Sequence, residues 1–273
     1  MSSRTDPAGR LTPGLTEGDD VSQRRTRWFA FILLLAGSIA FGSADGKPHA
    51  APVGAQLQLI ATYPLTVSEP SDLTIDETGK RLWTVGDKPT RVHQLALDGT
   101  TVKTLSFVGE DVEGIAYDRT DHTLWVAEEN RREIVHLDLE GTVLSRHPLD
   151  LTGERNSGLE GLCLDDQHRM FALNEKRPGL FLELDSKIAI ATRRDVSFAK
   201  DFSGITYDEK RHAFWVVSDQ SQSLYLWSPK TGVARQYALP YRKAEGIAVD
   251  QAAKRIYIVS DSENKLFVYR LEK

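Results

Sequence analysis

The sequence predicts an all-β protein, a five-bladed β-propeller formed by residues 56–273, on the basis of three observations. Five similar segments recur at intervals of 42 to 47 residues, short strands alternate with turns rich in Asp and Gly, and apolar residues repeat with a period of two. Four strands per repeat of this length are typical of propeller blades. A helical solenoid is excluded, because its apolar residues would repeat with a period of 3.6.

Each repeat opens with a short strand that ends in Asp. The five copies are SDLTID, EGIAYD, EGLCLD, SGITYD and EGIAVD, which begin at Ser71, Glu113, Glu160, Ser203 and Glu245. A second and a third apolar strand follow each copy, and a fourth follows every copy except the last. A spare strand, LQLIATYPL at residues 57–65, precedes the first copy. We expect this strand to complete the fifth blade, because the ring then has no open edge.

The chain before the repeats predicts export. Residues 1–27 are polar and are expected to form a disordered cytoplasmic tail, and residues 45–55 form a linker. Between them, residues 28–44 contain an uncharged apolar run that would form a hydrophobic helix about 22 Å long. This length is shorter than the roughly 30 Å hydrocarbon core, so the segment is a signal peptide or a membrane anchor. Arginines before the run predict a propeller at the cell membrane, on the periplasmic or extracellular side.

The composition of 273 residues bounds the class of protein. With 40% hydrophobic and 27% charged residues, the chain can bury a large core, which excludes a disordered or collagen-like protein. The one cysteine, Cys163, cannot form an intrachain disulfide, and we expect it to be buried. A net charge of -5 without a long basic stretch argues against nucleic acid as a partner. We expect a monomer.

Two columns of the repeat have a structural interpretation. The Asp that ends strand one should bond backbone amides of the following turn, as Asp does in such turns. An aromatic residue on strand two should fill the core between blades, because a large flat side chain buries much area there. The two columns are Asp76, Asp118, Asp165, Asp208 and Asp250, and Trp83, Trp125, Phe171, Trp215 and Tyr257.

A third column is acidic and follows strand two. Its members are Asp87, Glu129, Glu175, Asp219 and Asp261. These carboxylates either cap the loop between strands two and three or contribute to a functional site. Because the ends of strand two open onto the face where strand one begins, both groups of acids lie near the mouth of the central channel.

Three glutamates at the start of strand one, Glu113, Glu160 and Glu245, are candidate metal ligands. At an effective dielectric near 20 and separations near 8 Å, each ionised pair repels by about 2 kcal/mol. Either some of the pKa values are raised or a cation lies among them, and Ca²⁺ fits an irregular cage of oxygen ligands best. Supporting ligands are expected from Ser203, Asp72, Asp87, Glu129 and Glu175. The alternative is a water-filled acidic funnel, balanced by Lys88, Arg131, Lys176 and Lys265.

The stretches GLEGLCLDDQHRMFALNEKRPG, DFSGITYDEKRHAFWVVSDQS and KAEGIAVDQAAKRIYIVSDSENKLF resemble the SdiA-regulated family of bacterial envelope proteins. This resemblance implies an exported five-bladed propeller related to NHL repeats, an N-terminal apolar segment and a bound calcium ion. A more distant likeness is to gluconolactonase and paraoxonase-type propellers, in which acidic residues or Asn directly before Gly bind the metal. Glu113, Glu160 and Glu245 match those positions, but Asn is absent from all five strand starts.

Two functions are compatible with these residues. We expect a membrane-tethered, calcium-binding propeller that presents its channel mouth to a protein or a small-molecule ligand. The alternative is a metal-dependent hydrolase of lactonase or esterase type, in which Asp219 or Asp261 would act as the catalytic base. Motifs of other enzyme classes are absent from the sequence, among them G-x-S-x-G, the P-loop and H-E-x-x-H.

Overall fold

The structure of the protein is a computed structural model that describes residues 56–87, 90–152 and 158–272. Within these ranges the chain forms strands and turns, with no helix that is long and apolar enough to cross a membrane. The expected tail, hydrophobic segment and linker of residues 1–55 lie outside the described residues. In chain order the strands are β1 (Leu59–Pro64), β2 (Pro70–Ile75), β3 (Leu82–Asp87), β4 (Thr90–Leu95), β5 (Thr101–Val108), β6 (Val112–Asp118), β7 (Thr123–Glu128), β8 (Glu133–Leu137), β9 (Val143–Pro148), β10 (Leu159–Leu164), β11 (Met170–Asn174), β12 (Leu180–Leu184), β13 (Ile190–Asp195), β14 (Gly204–Asp208), β15 (Ala213–Ser218), β16 (Ser223–Ser228), β17 (Gly232–Ala238), β18 (Ala244–Asp250), β19 (Arg255–Ser260) and β20 (Lys265–Arg270).

The strands form five four-stranded antiparallel sheets, which confirms the all-β, five-bladed architecture. Blades 1 to 4 are β2–β5, β6–β9, β10–β13 and β14–β17, each made of consecutive strands. Blade 5 consists of β18, β19 and β20, and its fourth strand is β1. Leu59 on β1 lies opposite Tyr269, and Pro64 lies opposite Lys265. The outermost strand of blade 5 therefore comes from the part of the chain that precedes blade 1.

Five apolar clusters lie between adjacent blades and form the core. Each cluster contains one member of the aromatic column, and each of these side chains is at most 8% exposed. The prediction that this column packs between blades is therefore confirmed. Because each large ring contacts strands of two blades, its burial stabilises the contact between them as well as its own sheet.

The Asp column holds the turns between strands one and two. Asp76, for example, accepts hydrogen bonds from the backbone N–H groups of Lys80 and Arg81. Asp208 additionally accepts a bond from the indole N–H of Trp215 at 2.9 Å, which links this column to the aromatic column. The structural interpretation of this column is confirmed.

The innermost strands of the five blades, β2, β6, β10, β14 and β18, contact one another around a central channel. At one end, which we call the mouth, strand one begins and strand two ends. At the other end, the hairpin face, the turns between strands one and two lie around a cavity of about 320 Å³. Cys163 borders this cavity on the hairpin face and is buried, as expected.

Candidate functional site

The mouth of the channel is a cavity of about 470 Å³ lined by carboxylates. Eight acidic residues and two lysines contribute to its wall: Glu69, Glu113, Glu160, Glu175, Asp201, Asp219, Glu245, Asp261, Lys176 and Lys243. The three glutamates expected at the starts of strand one therefore border one shared cavity. So do Ser203, Glu175, Asp219 and Asp261 from the wider set of candidates.

Irregular strand pairing directs the three glutamates into the mouth. The register between strands one and two shifts between Val112 and Gly114, and Glu113 lies within that shift. Glu160 and Glu245 lie within the corresponding shifts of blades 3 and 5. A bulge leaves a residue outside the regular ladder and changes the direction of its side chain. The alternation of the strand is thus broken at the positions that supply the acids.

One group of three carboxylates is close enough to share an ion. The ligand atoms of Asp111, Glu113 and Glu129 all lie within 4.8 Å of one another, and Glu129 is only 6% exposed. We call this group the acidic triad. Glu113 and Glu129 were candidates from the sequence, whereas Asp111 was not. Glu160 and Glu245 line the adjoining wall of the cavity but do not belong to the triad.

Hydrogen bonds hold the triad in place before any ligand arrives. The backbone N–H of Glu129 donates to the carbonyl oxygen of Asp111 at 2.8 Å, which joins the two loops of blade 2. The Oε1 atom of Glu129 accepts a bond from the N–H of Gly158 at 2.7 Å, at the start of blade 3. Asp219 makes the same kind of contact between blades 4 and 5, where it accepts a bond from the N–H of Lys243 at 2.6 Å. These two carboxylates of the third column therefore connect neighbouring blades.

The pKa values of the mouth show the cost of placing these acids together. Burial, with added repulsion from Asp111 and Glu129, raises the pKa of Glu113 to about 8. Burial likewise raises the pKa of Glu129 to about 7, although the bond from Gly158 opposes the shift. For Glu160, burial and the charge of Glu113 raise the pKa well above its usual range. The site therefore favours either protonated glutamates or a cation bound among the carboxylates.

Glu245 has a cation of its own. Lys243 Nζ lies 3.4 Å from Glu245 Oε1, and Ser203 forms a side-chain hydrogen bond with the same carboxylate. Burial nevertheless raises the pKa of Glu245 to about 7, because it outweighs the effect of Lys243. The side of the mouth formed by blade 5 is thus partly neutralised, whereas the triad has no lysine or arginine within ion-pair distance among the described residues.

Asp72 lies below the mouth rather than in its wall. It is fully buried, and its two carboxylate oxygens accept backbone bonds at 2.8 Å from Leu73 and from Ile115 of the next blade. In the other four repeats the equivalent residue is Gly. Burial and the charge of Glu113 raise the pKa of Asp72 well above its usual range. Asp72 therefore connects blades 1 and 2 at the channel axis.

The remaining candidates are distributed around the rim. Ser203 accepts a hydrogen bond from the backbone N–H of Asp219 at 3.3 Å, and the N–H of Asp261 bonds the carbonyl of Lys243. Glu175 forms an ion pair with its neighbour Lys176. The side chain of Asp87 lies outside the described part of the structure.

A fourth column, which was not apparent from the sequence, lies two residues before each start of strand one. Its members are Glu69, Asp111, Gly158, Asp201 and Lys243. Glu69, Asp111 and Lys243 share a positive φ of 49°, 56° and 52°. Four of the five provide a charged group at the mouth, and the fifth provides the N–H that holds Glu129. The constant offset from strand one was the signal, but the five residue types differ in charge and size.

Comparison with known proteins agrees with this architecture. A family model described as SdiA-regulated matches residues 56–272. Among solved structures, a glutaminyl cyclase from Myxococcus xanthus has a TM-score of 0.61 at 16% identity, covering 79% of this chain and 98% of that chain. A gluconolactonase from Xanthomonas campestris has a TM-score of 0.55 at 14% identity, covering 80% and 95%. A chain of a nidogen/laminin complex has a TM-score of 0.53 at 17% identity, covering 74% and 76%. At these identities the likeness shows the fold alone.

Proposed function

The chain belongs to the SdiA-regulated family, and on this premise we propose that it is a calcium-binding propeller of the cell envelope. In this proposal the ion lies at the channel mouth and the mouth presents it to a ligand. The proposal depends on one observation: Asp111, Glu113 and Glu129 bring their ligand atoms within 4.8 Å of one another in a partly buried position.

The donor set of the triad fits Ca²⁺. Oxygen ligands of Ca²⁺ lie about 2.3–2.6 Å from the ion, so two ligands on opposite sides are separated by roughly 5 Å. All three donors are carboxylates, which a hard ion prefers, and among the described residues no His or Cys joins the group. The raised pKa values of Glu113 and Glu129 mean that ionising both is unfavourable in the metal-free protein. A divalent cation removes that penalty.

Calcium when bound would supply a positive charge for the oxygen atoms of a ligand. The chain's own residues position the triad, through the bond that the Glu129 N–H donates to the Asp111 carbonyl and the bond that the Glu129 carboxylate accepts from Gly158. The cavity of about 470 Å³ leaves room for a ligand beside the triad. Lys176 and Lys243 on its other walls pair with Glu175 and Glu245, and acidic groups of that ligand would compete for these two cations.

The test is the thermal unfolding of the purified protein with Ca²⁺ and with EDTA. We expect Ca²⁺ to raise the melting temperature of the wild type by several degrees, because an ion that binds only the folded state stabilises it. Glu113→Gln should abolish most of this shift. In EDTA the same variant should melt at or above the temperature of the wild type. The substitution removes a carboxylate that Asp111 and Glu129 repel.

Glu140→Gln is the matched control for this experiment. Glu140 lies in the exposed turn between β8 and β9, where it pairs with Lys103. This turn is at the opposite end of blade 2 from the mouth. The Glu140→Gln variant should leave the response to Ca²⁺ unchanged. If the wild type melts at the same temperature in Ca²⁺ and in EDTA, the calcium proposal is wrong.

A second candidate is a metal-dependent lactonase or esterase. One observation favours it: Glu160 and Glu245 border the same cavity as Glu113 of the triad, and burial raises the pKa of both carboxyl groups, that of Glu245 to about 7, so that Glu245 could hold or transfer a proton near neutral pH. Asp219 and Asp261 are the alternative bases on the rim. The gluconolactonase noted above shares this fold, so the architecture is compatible with such an activity. Hydrolysis of a lactone or an aryl ester that requires Ca²⁺ and is lost in Glu160→Gln would establish the hydrolase activity. If neither kind of substrate is hydrolysed, the binding role remains.

We also propose that residues 28–44 target or anchor the propeller to the membrane, with the blades on the exported side. The uncharged run and the preceding arginines support this orientation. Protease treatment of spheroplasts should digest the propeller while a cytoplasmic marker stays intact. Protection of both proteins would contradict the proposal.

A further inference from the structure

A basic groove lies on the hairpin face, between blades 4 and 5 and at the opposite end of the channel from the acidic mouth. It consists of two adjoining cavities of about 260 and 380 Å³ that share Lys254, Leu271 and Glu272. We call it the cationic groove and define it by Lys210, Gln251, Lys254, Arg255, Arg270 and Leu271. The turn of blade 4, the turn of blade 5 and the end of β20 each contribute to it.

The positive charge of the groove is not neutralised within the protein. Arg211 and Glu272 also border it, but Arg211 pairs with Asp208 at 2.7 Å, and Glu272 pairs with Arg235 at 3.3 Å. By contrast, none of the four groove cations forms an ion pair in the described part of the chain. Lys210 Nζ donates a long hydrogen bond to the carbonyl oxygen of Gln251, at 3.4 Å. Four cations at one site attract an anion.

The groove also contains an unused hydrogen-bond donor. The amide Nε2 of Gln251 is buried and has no hydrogen-bond partner among the residues that the structure describes. Gln251 lies between two cavities, the smaller groove cavity with Lys210 and Lys254 and the channel cavity of about 320 Å³. A buried N–H group without an acceptor is unfavourable, and the oxygen of an anionic ligand would satisfy it. A phosphate group supplies both the charge and the acceptor oxygens.

Exposed apolar side chains adjoin the groove on its outer side. Leu59 and Ile60 on β1 are 50% and 39% exposed, and they are among the few large apolar residues that face solvent. The residue before them, Gln58, accepts a hydrogen bond from the backbone N–H of Arg270 at 2.9 Å. Basic and apolar residues side by side are typical of surfaces that bind a bilayer. A free phosphate ion would make no use of Leu59 and Ile60.

We infer that the hairpin face at blades 4 and 5 docks on a bilayer containing anionic lipid, with a lipid phosphate in the cationic groove and Leu59 and Ile60 among the headgroups. This orientation turns the acidic mouth, with its eight carboxylates, away from the negative surface. It also places Gln56, where the described chain begins, on the membrane side. The inference depends neither on a metal at the mouth nor on how residues 28–44 meet the membrane.

The experiment measures binding to vesicles and uses residues 46–273, which form one compact unit with all five sheets and their cores. Vesicles of phosphatidylcholine with one third phosphatidylglycerol are compared with pure phosphatidylcholine by co-sedimentation. We expect at least about tenfold stronger partitioning to the anionic vesicles, lost at high salt. The double variant Lys254→Glu, Arg255→Glu should remove most of this difference, and Lys210→Ala part of it.

A matched control comes from the repeat itself. Lys80 and Arg81 occupy the same place in the turn of blade 1 as Lys254 and Arg255 in blade 5. Reversing the charge of Lys80 and Arg81 should weaken binding far less. If charge reversal at the two pairs weakens vesicle binding equally, the attraction is a general effect of charge and the proposed docking site is wrong.

Two further measurements separate a lipid from a soluble ligand. Leu59→Ser should weaken vesicle binding several-fold with at most a small fall in the melting temperature, because half of this side chain is already exposed. Glycerol 3-phosphate at millimolar concentration should not displace the protein from vesicles. Displacement, or an absence of any preference for anionic vesicles, would overturn the inference.

Discussion

At the scale of single residues, Asp72 shows how one departure from a repeat can have a structural purpose. The channel axis is surrounded by strand-one backbones whose inner N–H groups have no further strand to bond. The carboxylate of Asp72 bonds two of them, from Leu73 and Ile115, and its own side chain is fully buried. The other four repeats have Gly at this position, so Asp72 is the one carboxylate that the repeat places there.

Replacing Asp72 with Gly, the residue of the other repeats, should therefore destabilise the protein. Two buried N–H groups lose their acceptor, which costs about 1–3 kcal/mol in the free energy of unfolding. Asp72→Asn keeps one acceptor oxygen and should lose less. Denaturant unfolding in EDTA measures both variants, and added formate should restore part of the loss in Asp72→Gly. A glycine variant as stable as the wild type would contradict the role assigned to this carboxylate.

The residue scale is also where sequence reasoning was least complete. Glu113 could be predicted because it recurs at the same point of three repeats. Asp111 could not, because its column contains acids, a glycine and a lysine, and its direction depends on a backbone with positive φ. Similar residues reveal a column in a sequence, whereas shared backbone geometry between different residues does not.

At the scale of elements, the close approach of the innermost strands determines which residues can begin them. A Cβ atom at Gly204 would lie 2.2 Å from the carbonyl oxygen of Glu245. At Gly246 it would lie 2.4 Å from backbone atoms of Asp72 and Leu73. Neither neighbour can move aside as a side chain could, so the start of strand one in blades 4 and 5 requires Gly.

Gly204→Ala and Gly246→Ala should each destabilise the propeller by about 3 kcal/mol or more, because strand one of the adjacent blade is pushed outward. Gly161→Ala, whose Cβ would approach its nearest neighbours to 3.1 Å, should cost less. Thermal unfolding of the three variants should give that ranking. A Gly161→Ala variant less stable than the other two would show that these backbone contacts do not limit the spacing of the blades.

The architecture itself was predictable at this scale. The intervals of 42 to 47 residues and the Asp and aromatic columns indicated blades, since each blade buries the same faces and needs the same turn. The bulges that direct Glu113 and Glu160 into the mouth were not predictable. They depend on pairing between strands, and the alternation of residues in one strand does not show it.

For the whole molecule, the acids of the mouth couple stability to pH. The pKa values of Glu113, Glu129 and Glu245 are raised to about 8, 7 and 7, from an ordinary value of 4.5. Between pH 4.5 and pH 8 the folded protein therefore holds protons that the unfolded chain has released. The stability of the folded state falls with rising pH wherever it binds more protons than the unfolded state.

In EDTA we expect the melting temperature to be highest near pH 5 and to fall steadily up to pH 8. With saturating Ca²⁺ this decline should be much smaller, because the ion favours the ionised carboxylates. The shift caused by Ca²⁺ should accordingly grow with pH. Melting curves in a pH series, with and without EDTA, measure both slopes, and a metal-free protein that gains stability over this range would contradict the prediction.

The pairing of β1 with β20 has a consequence for biosynthesis. The side-chain amide of Asn264, at the turn before β20, donates to the carbonyl of Leu65, 199 residues earlier in the chain. At translation rates of about 5–20 residues per second, β1 waits roughly 10–40 s for its partner to be made. Four blades can assemble from consecutive hairpins as they emerge, but the fifth cannot. The nascent chain thus carries an unpaired edge until synthesis is nearly finished, and that interval is when it most needs a chaperone.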